Sequence, residues 1–305
     1  MQTAENGHRQ NTVSRKINGR TVVYIFFVLM GLIILLYPTI SNKWNEYRNK
    51  RLISNYEKTL IHKEDTKIIT LLKEAERYNA TLNEPSVPDA FSIRKEIRDE
   101  AYEALLNIEN NSIMGYIDIP VLQIQLPIYH YTSDEVLQKG VGHLHGSALP
   151  VGGKGTHSVV SAHRGLPSAK LFTDLNMLKE GDHFYYKILG KTFAYEVDQI
   201  LTVEPQDVKS LSADIGKDYS TLVTCTPYGV NTKRLLVRGH RIEYQEEEYK
   251  EEEKHVSRNT KHLTLEIMSA AAGFMIALLV LFMYRLFGKI KRKKVCLPRC
   301  KSKKK

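Results

Sequence analysis

The sequence predicts a mainly β domain, a barrel or a sandwich, with a helical segment before it and a transmembrane helix on each side. Three observations lead to this prediction. Short β-type runs separated by turn residues follow one another from about residue 115. The segment before them is rich in Glu, Lys, Leu and Ala, and two long uncharged runs lie towards the two ends of the chain.

The first uncharged run predicts a transmembrane helix over residues 21–41. The apolar residues of TVVYIFFVLMGLIILLYPTI, which rise about 1.5 Å each in a helix, cover the roughly 30 Å hydrocarbon core of a bilayer. A cleaved signal peptide would have a shorter apolar region, about 7–15 residues, and a small-residue cleavage site. The sequence that follows has no Ala-x-Ala pattern, so we interpret the run as an uncleaved signal anchor.

Residues 42–106 are predicted to be an extracellular helical segment with one break. Apolar residues recur at helical spacing around residues 68–72. Pro85 and Pro88 interrupt the pattern, because proline and the residue before it favour extended backbone. The break, at about residues 84–92, therefore predicts an extended connection between helical stretches.

Residues 107–245 are predicted to be the β domain, because many short strands in this length favour a barrel or a sandwich. The acidic stretch EEEYKEEEKH follows it. Charge runs of this kind are usually solvated, so we interpret residues 246–262 as an acidic spacer.

The second uncharged run, from Ile267 to Tyr284, predicts a transmembrane helix over residues 263–287. A basic tail, residues 288–305, follows it, and basic residues also precede the first span within residues 1–20. Positive flanks mark the cytoplasmic side of a membrane. We therefore expect a two-pass protein of the cell membrane, in contact with membrane lipid, with both termini cytoplasmic and the β domain outside.

The distribution of charge supports this topology and argues against a nucleic-acid partner. The 305 residues include 44 Lys and Arg against 34 Asp and Glu, a formal net charge of +10. Residues 289–305 carry +10 and residues 1–20 carry +3, which leaves −3 for residues 21–288. A nucleic-acid-binding protein carries its positive charge on the folded domain, and here that domain is mildly acidic.

Cys225 is the one cysteine that this topology places outside the cell, because Cys296 and Cys300 fall in the basic tail. Three cysteines cannot form a disulfide framework, and two thiols make no four-ligand zinc site. If the strands STLVTC and RLLVRGHRI pair, Cys225 and Arg234 stand opposite each other at the mouth of an eight-residue loop. A nearby guanidinium favours a thiolate and can donate to a developing oxyanion. The plain alternative is a buried cysteine that acts as a small hydrophobic residue.

Cysteine nucleophiles usually need a histidine, and His163 is the best candidate. It ends the strand-like run HSVVSAH and enters the turn RGLPS. His143 and His145 alternate on a strand but lack a third ligand at an obvious spacing, so no metal site is predicted. The other strand histidines are interpreted as structural: His157, His183 and His240.

The segment TLVTC, from Thr221 to Cys225, with Arg234 nine residues further on, resembles the sortase signature. The segment SAHRG around His163 is similar to the histidine segment of that family, and the order His, Cys, Arg also agrees. The match covers about residues 115–243. Together with the second predicted span, it makes the chain resemble in particular the class C, or pilus-assembling, sortases of Gram-positive bacteria.

The resemblance implies a closed eight-stranded β-barrel and a cysteine transpeptidase that uses no cofactor and no metal. Cys225 would attack the Thr–Gly bond of an LPXTG-like sorting signal in a pilin, and His163 would act as general acid and base. Arg234 would hold the substrate and stabilise the oxyanion. A lysine amine of the next pilin would then resolve the thioacyl intermediate. Thr224, which precedes the nucleophile, is a candidate supporting residue.

Class C sortases also carry a lid with an Asp-Pro-aromatic motif over the active site. The matching residues here are Asp89, Ala90 and Phe91, with Ala90 where proline is usual and the proline displaced to Pro88. Residues two apart in an extended segment point the same way. Asp89 could therefore pair with a cation or thiol while Phe91 covers the sulfur. The plain alternative is a Pro-rich connection whose Phe91 packs on the surface.

Three other functions stay open at this point. The chain could be a housekeeping-type sortase that attaches surface proteins to a cell-wall precursor. It could be a cysteine hydrolase, because hydrolysis and transfer share the acyl-enzyme. It could also be a non-enzymatic surface protein, since wall-anchored proteins end in a similar span and basic tail. Against this last reading, no LPXTG-like pentapeptide precedes Leu263, where the sequence reads HVSRNTKH.

Overall fold

The computed structural model describes residues 19–82, 88–91 and 98–254, together with Gly273. The described residues fall into two units, one up to residue 244 and one from residue 245 onwards. The predicted basic tail with Cys296 and Cys300, and all of the second predicted span except Gly273, lie outside the described residues.

Helices precede the barrel, as the sequence predicts. They are α1 (Gly19–Ile61), α2 (Asp65–Thr81) and the short α3 (Glu100–Ala104). α2 buries Leu72, Ala75 and Asn79, which recur three and four residues apart and so share one face. α3 begins at the N-cap Asp99, whose carboxylate accepts from two backbone N–H groups of the first turn.

The first predicted span, residues 21–41, falls within α1. Among the helices that the structure describes, none combines the length and the hydropathy needed to cross a bilayer. The structure therefore does not confirm this span.

Eight strands close into a barrel in the order β1-β2-β3-β4-β7-β8-β6-β5, which confirms the predicted closed eight-stranded architecture. The strands are β1 (Ile113–Ile119), β2 (Ile124–His130), β3 (Val141–His143), β4 (Thr156–Ser161), β5 (His183–Ile188), β6 (Lys191–Val203), β7 (Asp218–Thr226) and β8 (Lys233–Ile242). A further short helix, α4 (Asp134–Leu137), lies between β2 and β3.

The barrel interior is filled by apolar and aromatic side chains. Phe184 stacks on Tyr195 with ring centroids 5.4 Å apart, and Tyr186 meets both rings edge-on. Offset and edge-to-face arrangements are the favoured geometries of aromatic pairs. This packed interior fixes the positions of the strands that carry the candidate site.

Those strands are neighbours in the barrel. β7 pairs with β4 in parallel and with β8 in antiparallel orientation. Two predicted boundaries need correction: β4 ends at Ser161, two residues before His163, and β7 and β8 extend to leave a loop of only residues 227–232. In the second unit, residues 246–254 of the predicted spacer are helical.

Candidate active site

Cys225 and Arg234 are directly opposite each other in the antiparallel ladder of β7 and β8. Side chains of directly opposed residues lie on the same face of a sheet, about 4.5–5.5 Å apart at Cβ. Cys225 is 8% exposed and Arg234 is 9% exposed. The structure thus brings together the thiol and the guanidinium in the arrangement predicted from the hairpin.

The backbone before His163 is fixed against β7. The N–H of Ala162 donates to the carbonyl oxygen of Val223 at 3.2 Å. The hydroxyl of Thr224, the predicted supporting residue, is buried and donates to the carbonyl oxygen of Ala162 at 2.8 Å. Thr224 therefore connects the strand of Cys225 to the chain segment that leads into His163.

The backbone after His163 is fixed to the same strand. The guanidinium of Arg164 donates from Nη1 to Oγ1 of Thr226 at 3.1 Å, from Nε to the carbonyl oxygen of Thr173 at 3.1 Å and from Nη2 to Oδ1 of Asn176 at 2.8 Å. The residues on either side of His163 are therefore bonded to the residues on either side of Cys225. This arrangement places the backbone of His163 next to the strand that carries Cys225.

The segment with Asp89 and Phe91 covers this arrangement. Both carboxylate oxygens of Asp89 accept from the guanidinium of Arg234, each at 2.7 Å. The Phe91 ring lies 5.6 Å from the His163 ring and 5.0 Å from the Arg234 guanidinium. The two side chains thus reach one site, although the backbone at Ala90 and Phe91 is a turn rather than the predicted extended segment.

Ala90 itself is inserted into the barrel surface. It is buried in a small apolar cluster with Leu144, Val159, Leu211, Val223 and Leu236. A small cleft next to it is lined by Asp89, Val208 and Arg234, among others. The segment is therefore held by apolar contact as well as by the ion pair, a feature that the sequence motif did not reveal.

In this arrangement the thiol and the imidazole both favour their neutral forms. Burial raises the pKa of the Cys225 thiol, with the Arg234 guanidinium opposing this effect and the Asp89 carboxylate adding to it. Burial lowers the pKa of His163, against the opposing carboxylate of Asp134. The hydrogen bonds to Asp89 raise the pKa of Arg234, which therefore stays charged. A negative charge on Asp89 thus disfavours the thiolate that a nucleophile needs.

Two of the other histidines that the structure describes, His143 and His145, have partners outside this cluster. His143 is fully buried, with Nδ1 bonded to the hydroxyl of Tyr102 at 2.7 Å and Nε2 to the carbonyl oxygen of Ala148 at 2.8 Å. Burial lowers the pKa of His143 to about 3. His145 packs on the Tyr102 ring and faces Asp99 at 3.6 Å. Among the described residues, no group of three His, Cys, Asp or Glu side chains could hold a metal ion.

Sequence reasoning missed the contribution of Arg164. It lies next to His163 in the segment SAHRG, but its partners Thr173, Asn176 and Thr226 are 9 to 62 residues away. No local pattern indicates these contacts, because they exist only once the turn after β4 has folded against β7.

Comparison with known proteins agrees with this geometry. A family model described as the sortase domain matches residues 117–242. The chain is 30% identical to sortase A of Bacillus anthracis over 141 residues, which are 46% of this chain and 65% of that protein. It is 42% identical to Streptococcus pneumoniae sortase C, whose structure matches with a TM-score of 0.60. The match covers 64% of this chain and 97% of that one.

A second solved structure, Streptococcus agalactiae sortase C1, is 46% identical with a TM-score of 0.58, and the match covers 64% of this chain and all of that one. The match to sortase C structures confirms the class that the sequence resembled. The chain belongs to the sortase family of cysteine transpeptidases, and its structural relatives include class C sortases.

Proposed function

We propose that this protein is a cysteine transpeptidase that joins pilin subunits at the cell surface. In this function it cleaves an LPXTG-like sorting signal between Thr and Gly and transfers the new acyl group to a lysine amine of another pilin. The observation that supports the proposal most directly is the pairing of Cys225 with Arg234, together with the bonds that join the residues flanking His163 to those flanking Cys225.

Cys225 is the nucleophile in this proposal. Its thiol proton moves to the His163 imidazole as Sγ attacks the carbonyl carbon of the threonine, and the imidazolium then protonates the leaving glycine amine. The products of this half-reaction are a thioacyl enzyme and the released C-terminal peptide. Because the resting thiol and imidazole are both neutral, the proton needed by the leaving group is already present in the pair.

The second half-reaction uses the same residues in the reverse order. An incoming lysine amine attacks the thioester and gives a proton to His163, which returns it to the sulfur of Cys225 as the isopeptide bond forms. The guanidinium of Arg234 stabilises the oxyanion in both steps, because its charge lies next to the reacting sulfur. Arg234 is bound to Asp89 in this structure, so the lid residues Asp89 and Phe91 must move before substrate enters.

The pilin substrate class is supported by the relatives. The Streptococcus pneumoniae sortase C structure is described in terms of catalysis and pilin substrate specificity, and a matching Streptococcus agalactiae sortase C1 belongs to a pilus island. The two-pass membrane topology rests on the sequence alone, on the apolar runs at residues 21–41 and 263–287 and their basic flanks. Protease accessibility of tagged termini in intact cells tests that topology.

The decisive experiment combines the full-length protein with a pilin that carries a sorting signal. We expect a covalent pilin dimer whose mass equals two chains less the released peptide, with a lysine isopeptide bond in the fragment spectrum. Cys225→Ala should reduce this product by at least about 10³-fold, because it removes the only group that forms the acyl-enzyme. Undiminished polymer from Cys225→Ala would overturn the proposal, whereas a cleaved monomer without isopeptide bond would identify a hydrolase.

A further inference from the structure

One turn of α1 is hydrogen-bonded to the loop that follows His163. This loop, residues 163–172, is called the histidine loop below. Ser41 Oγ and Asn45 Nδ2 both donate to the carbonyl oxygen of Ser168, at 2.9 and 2.6 Å. Oδ1 of Asn42 accepts from the backbone N–H of Lys170 at 2.8 Å. Residues 41 and 45 lie one turn apart on the same helix face, so one short stretch of α1 binds two backbone groups of the loop.

The two ends of the histidine loop are hydrogen-bonded to each other. The backbone N–H of Phe172 donates to the carbonyl oxygen of His163 at 3.1 Å, which closes the histidine loop on itself. Ala169, Leu171 and Phe172 are buried in the barrel core. A shift of the backbone at Ser168 and Lys170 would therefore be transmitted through Phe172 to His163.

Backbone conformation next to this contact gives a second, independent observation. Leu171 has a φ of 41°, in the left-handed region that residues other than Gly, Asn and Asp rarely adopt. Such a conformation persists only where the surrounding structure over-determines it. The bond from Lys170 N–H to Asn42 lies immediately before Leu171, and the burial of the Leu171 side chain fixes it from the other side.

α1 is itself fixed to the barrel, so it can serve as a reference for the loop. The Tyr56 hydroxyl donates to the carbonyl oxygen of Met114 at 3.0 Å and accepts from the N–H of Leu189 at 2.8 Å. Tyr56 and Ile53 are buried against β1 and β2 residues. From Tyr56 to Asn45 the helix extends for about 17 Å, given a rise of about 1.5 Å per residue.

We propose that Ser41, Asn42 and Asn45 are positioning residues that hold the histidine loop so that the His163 ring stays in reach of Cys225. The inference rests on the proposed acid–base role of His163. Ser41 is also the last residue of the first predicted span, so the position of His163 depends on the helix that the sequence predicts as the membrane anchor. A cleft beside this contact is lined by polar residues, among them Asn42, Asn45 and Lys170, and by apolar residues, among them Leu126 and Ala169.

The test compares the full-length protein with a Ser41→Ala/Asn42→Ala/Asn45→Ala variant. Alanine is the best helix former, so α1 itself is preserved. We expect kcat for the transfer to fall about tenfold with KM within about twofold, because a displaced acid–base group impairs the chemical step rather than binding. We also expect faster hydrogen exchange at the Phe172 amide. Lys43→Ala/Tyr47→Ala, on the exposed face of the same turns, should change neither quantity.

Two conservative variants separate positioning from general loss of stability. Asn45→Asp keeps the shape of the side chain but removes the donor to Ser168, so its kcat should resemble that of Asn45→Ala. Ser41→Thr keeps a hydroxyl, so it should recover most of the kcat lost in Ser41→Ala. If the triple variant does not fold, the kcat values of these single variants test whether α1 positions the histidine loop.

Two results would overturn the inference: a wild-type kcat in the triple variant and in Asn45→Asp, or unchanged exchange at Phe172. Failure of the proposed function looks different. It would appear as full activity in His163→Ala, while the exchange measurement still reports whether α1 holds the loop.

Discussion

The two halves of the candidate site are held in different ways. The barrel half consists of Cys225 and Arg234, which are fixed by consecutive ladder pairs of β7 and β8. The lid half consists of Asp89 and Phe91, which are held by side-chain contacts and by the burial of Ala90. Continuous ladders open only with the barrel, whereas a few side-chain contacts can break locally. The chemistry is therefore built on the rigid part, and access to it depends on the weaker part.

Arg234→Ala tests both halves at once, because Arg234 belongs to the ladder and is also the partner of the lid. We expect transfer activity to fall on the order of 10²–10³-fold, since one oxyanion donor and substrate contact is lost. The rate of Cys225 labelling by a thiol reagent should rise in the same variant, because Asp89 loses its partner. The measurements are initial transfer rates and thiol-labelling rates. Normal transfer by Arg234→Ala would contradict the role assigned to it.

Asp89→Ala should weaken the lid half alone. The bidentate bond to Arg234 is charge-assisted and shielded from solvent, so we expect Cys225 labelling to accelerate about tenfold. Removing the Asp89 carboxylate also removes one cause of the raised thiol pKa, so the labelling profile should move to lower pH.

Asp198→Ala is the matched control for Asp89→Ala. Asp198 forms a similar two-point pair with Arg238, at 2.9 and 3.2 Å, within the β6–β8 part of the barrel. We expect it to leave the labelling rate unchanged. Equal labelling rates in Asp89→Ala and the wild type would mean that the segment does not limit access to Cys225.

Acidification should destabilise the barrel that carries Cys225 and Arg234, because His143 is buried in it without a charge. The pKa of His143 is lowered to about 3 in the folded protein from an ordinary value of 6.5. Below pH 6.5 the unfolded chain binds a proton that the folded chain excludes, so stability is lost as pH falls from 6.5 towards 3. Each such proton contributes a slope of about 1.4 kcal/mol per pH unit. Burial also lowers the pKa values of His130 and His157, which act in the same direction.

Urea unfolding of the full-length protein between pH 7.5 and 5 measures this slope. The unfolding midpoint should stay nearly constant above pH 7 and decrease below pH 6.5. A midpoint that does not change across this range would mean that His143 is not kept neutral by burial.

Phe91→Ala should have the smallest effect, because it leaves the Asp89–Arg234 pair intact. The ring contacts His163 and Arg234, and a cation–π contact of this kind is worth about 0.5–2 kcal/mol. We expect Cys225 labelling to increase by a factor of about three, with Phe91→Tyr as the control that retains a ring. A larger increase than in Asp89→Ala would mean that the ring, rather than the ion pair, holds the lid closed.

The sequence predicted the barrel half well and the lid half only in outline. The short β-type runs that contain Cys225 and Arg234 predicted two strands, and their short separation set the opposed register, because a hairpin is a local structure. Asp89 and Phe91 were identified from a motif resemblance. Their partners could not be derived, since Asp89 and Arg234 are 145 residues apart and no periodicity links them.

By itself, the sequence determined the residue types of the site, the mainly β fold and the order in which the strands follow one another, because these depend on side-chain chemistry and on local hydrophobic periodicity. Tertiary structure alone decided three arrangements: the segment before His163 is bonded to the strand of Cys225, Asp89 forms an ion pair with Arg234, and α1 binds the histidine loop. Each joins segments distant in the chain. Bringing these segments together costs chain entropy, which is offset only by the contacts of the whole closed barrel. No short stretch of sequence therefore encodes these arrangements.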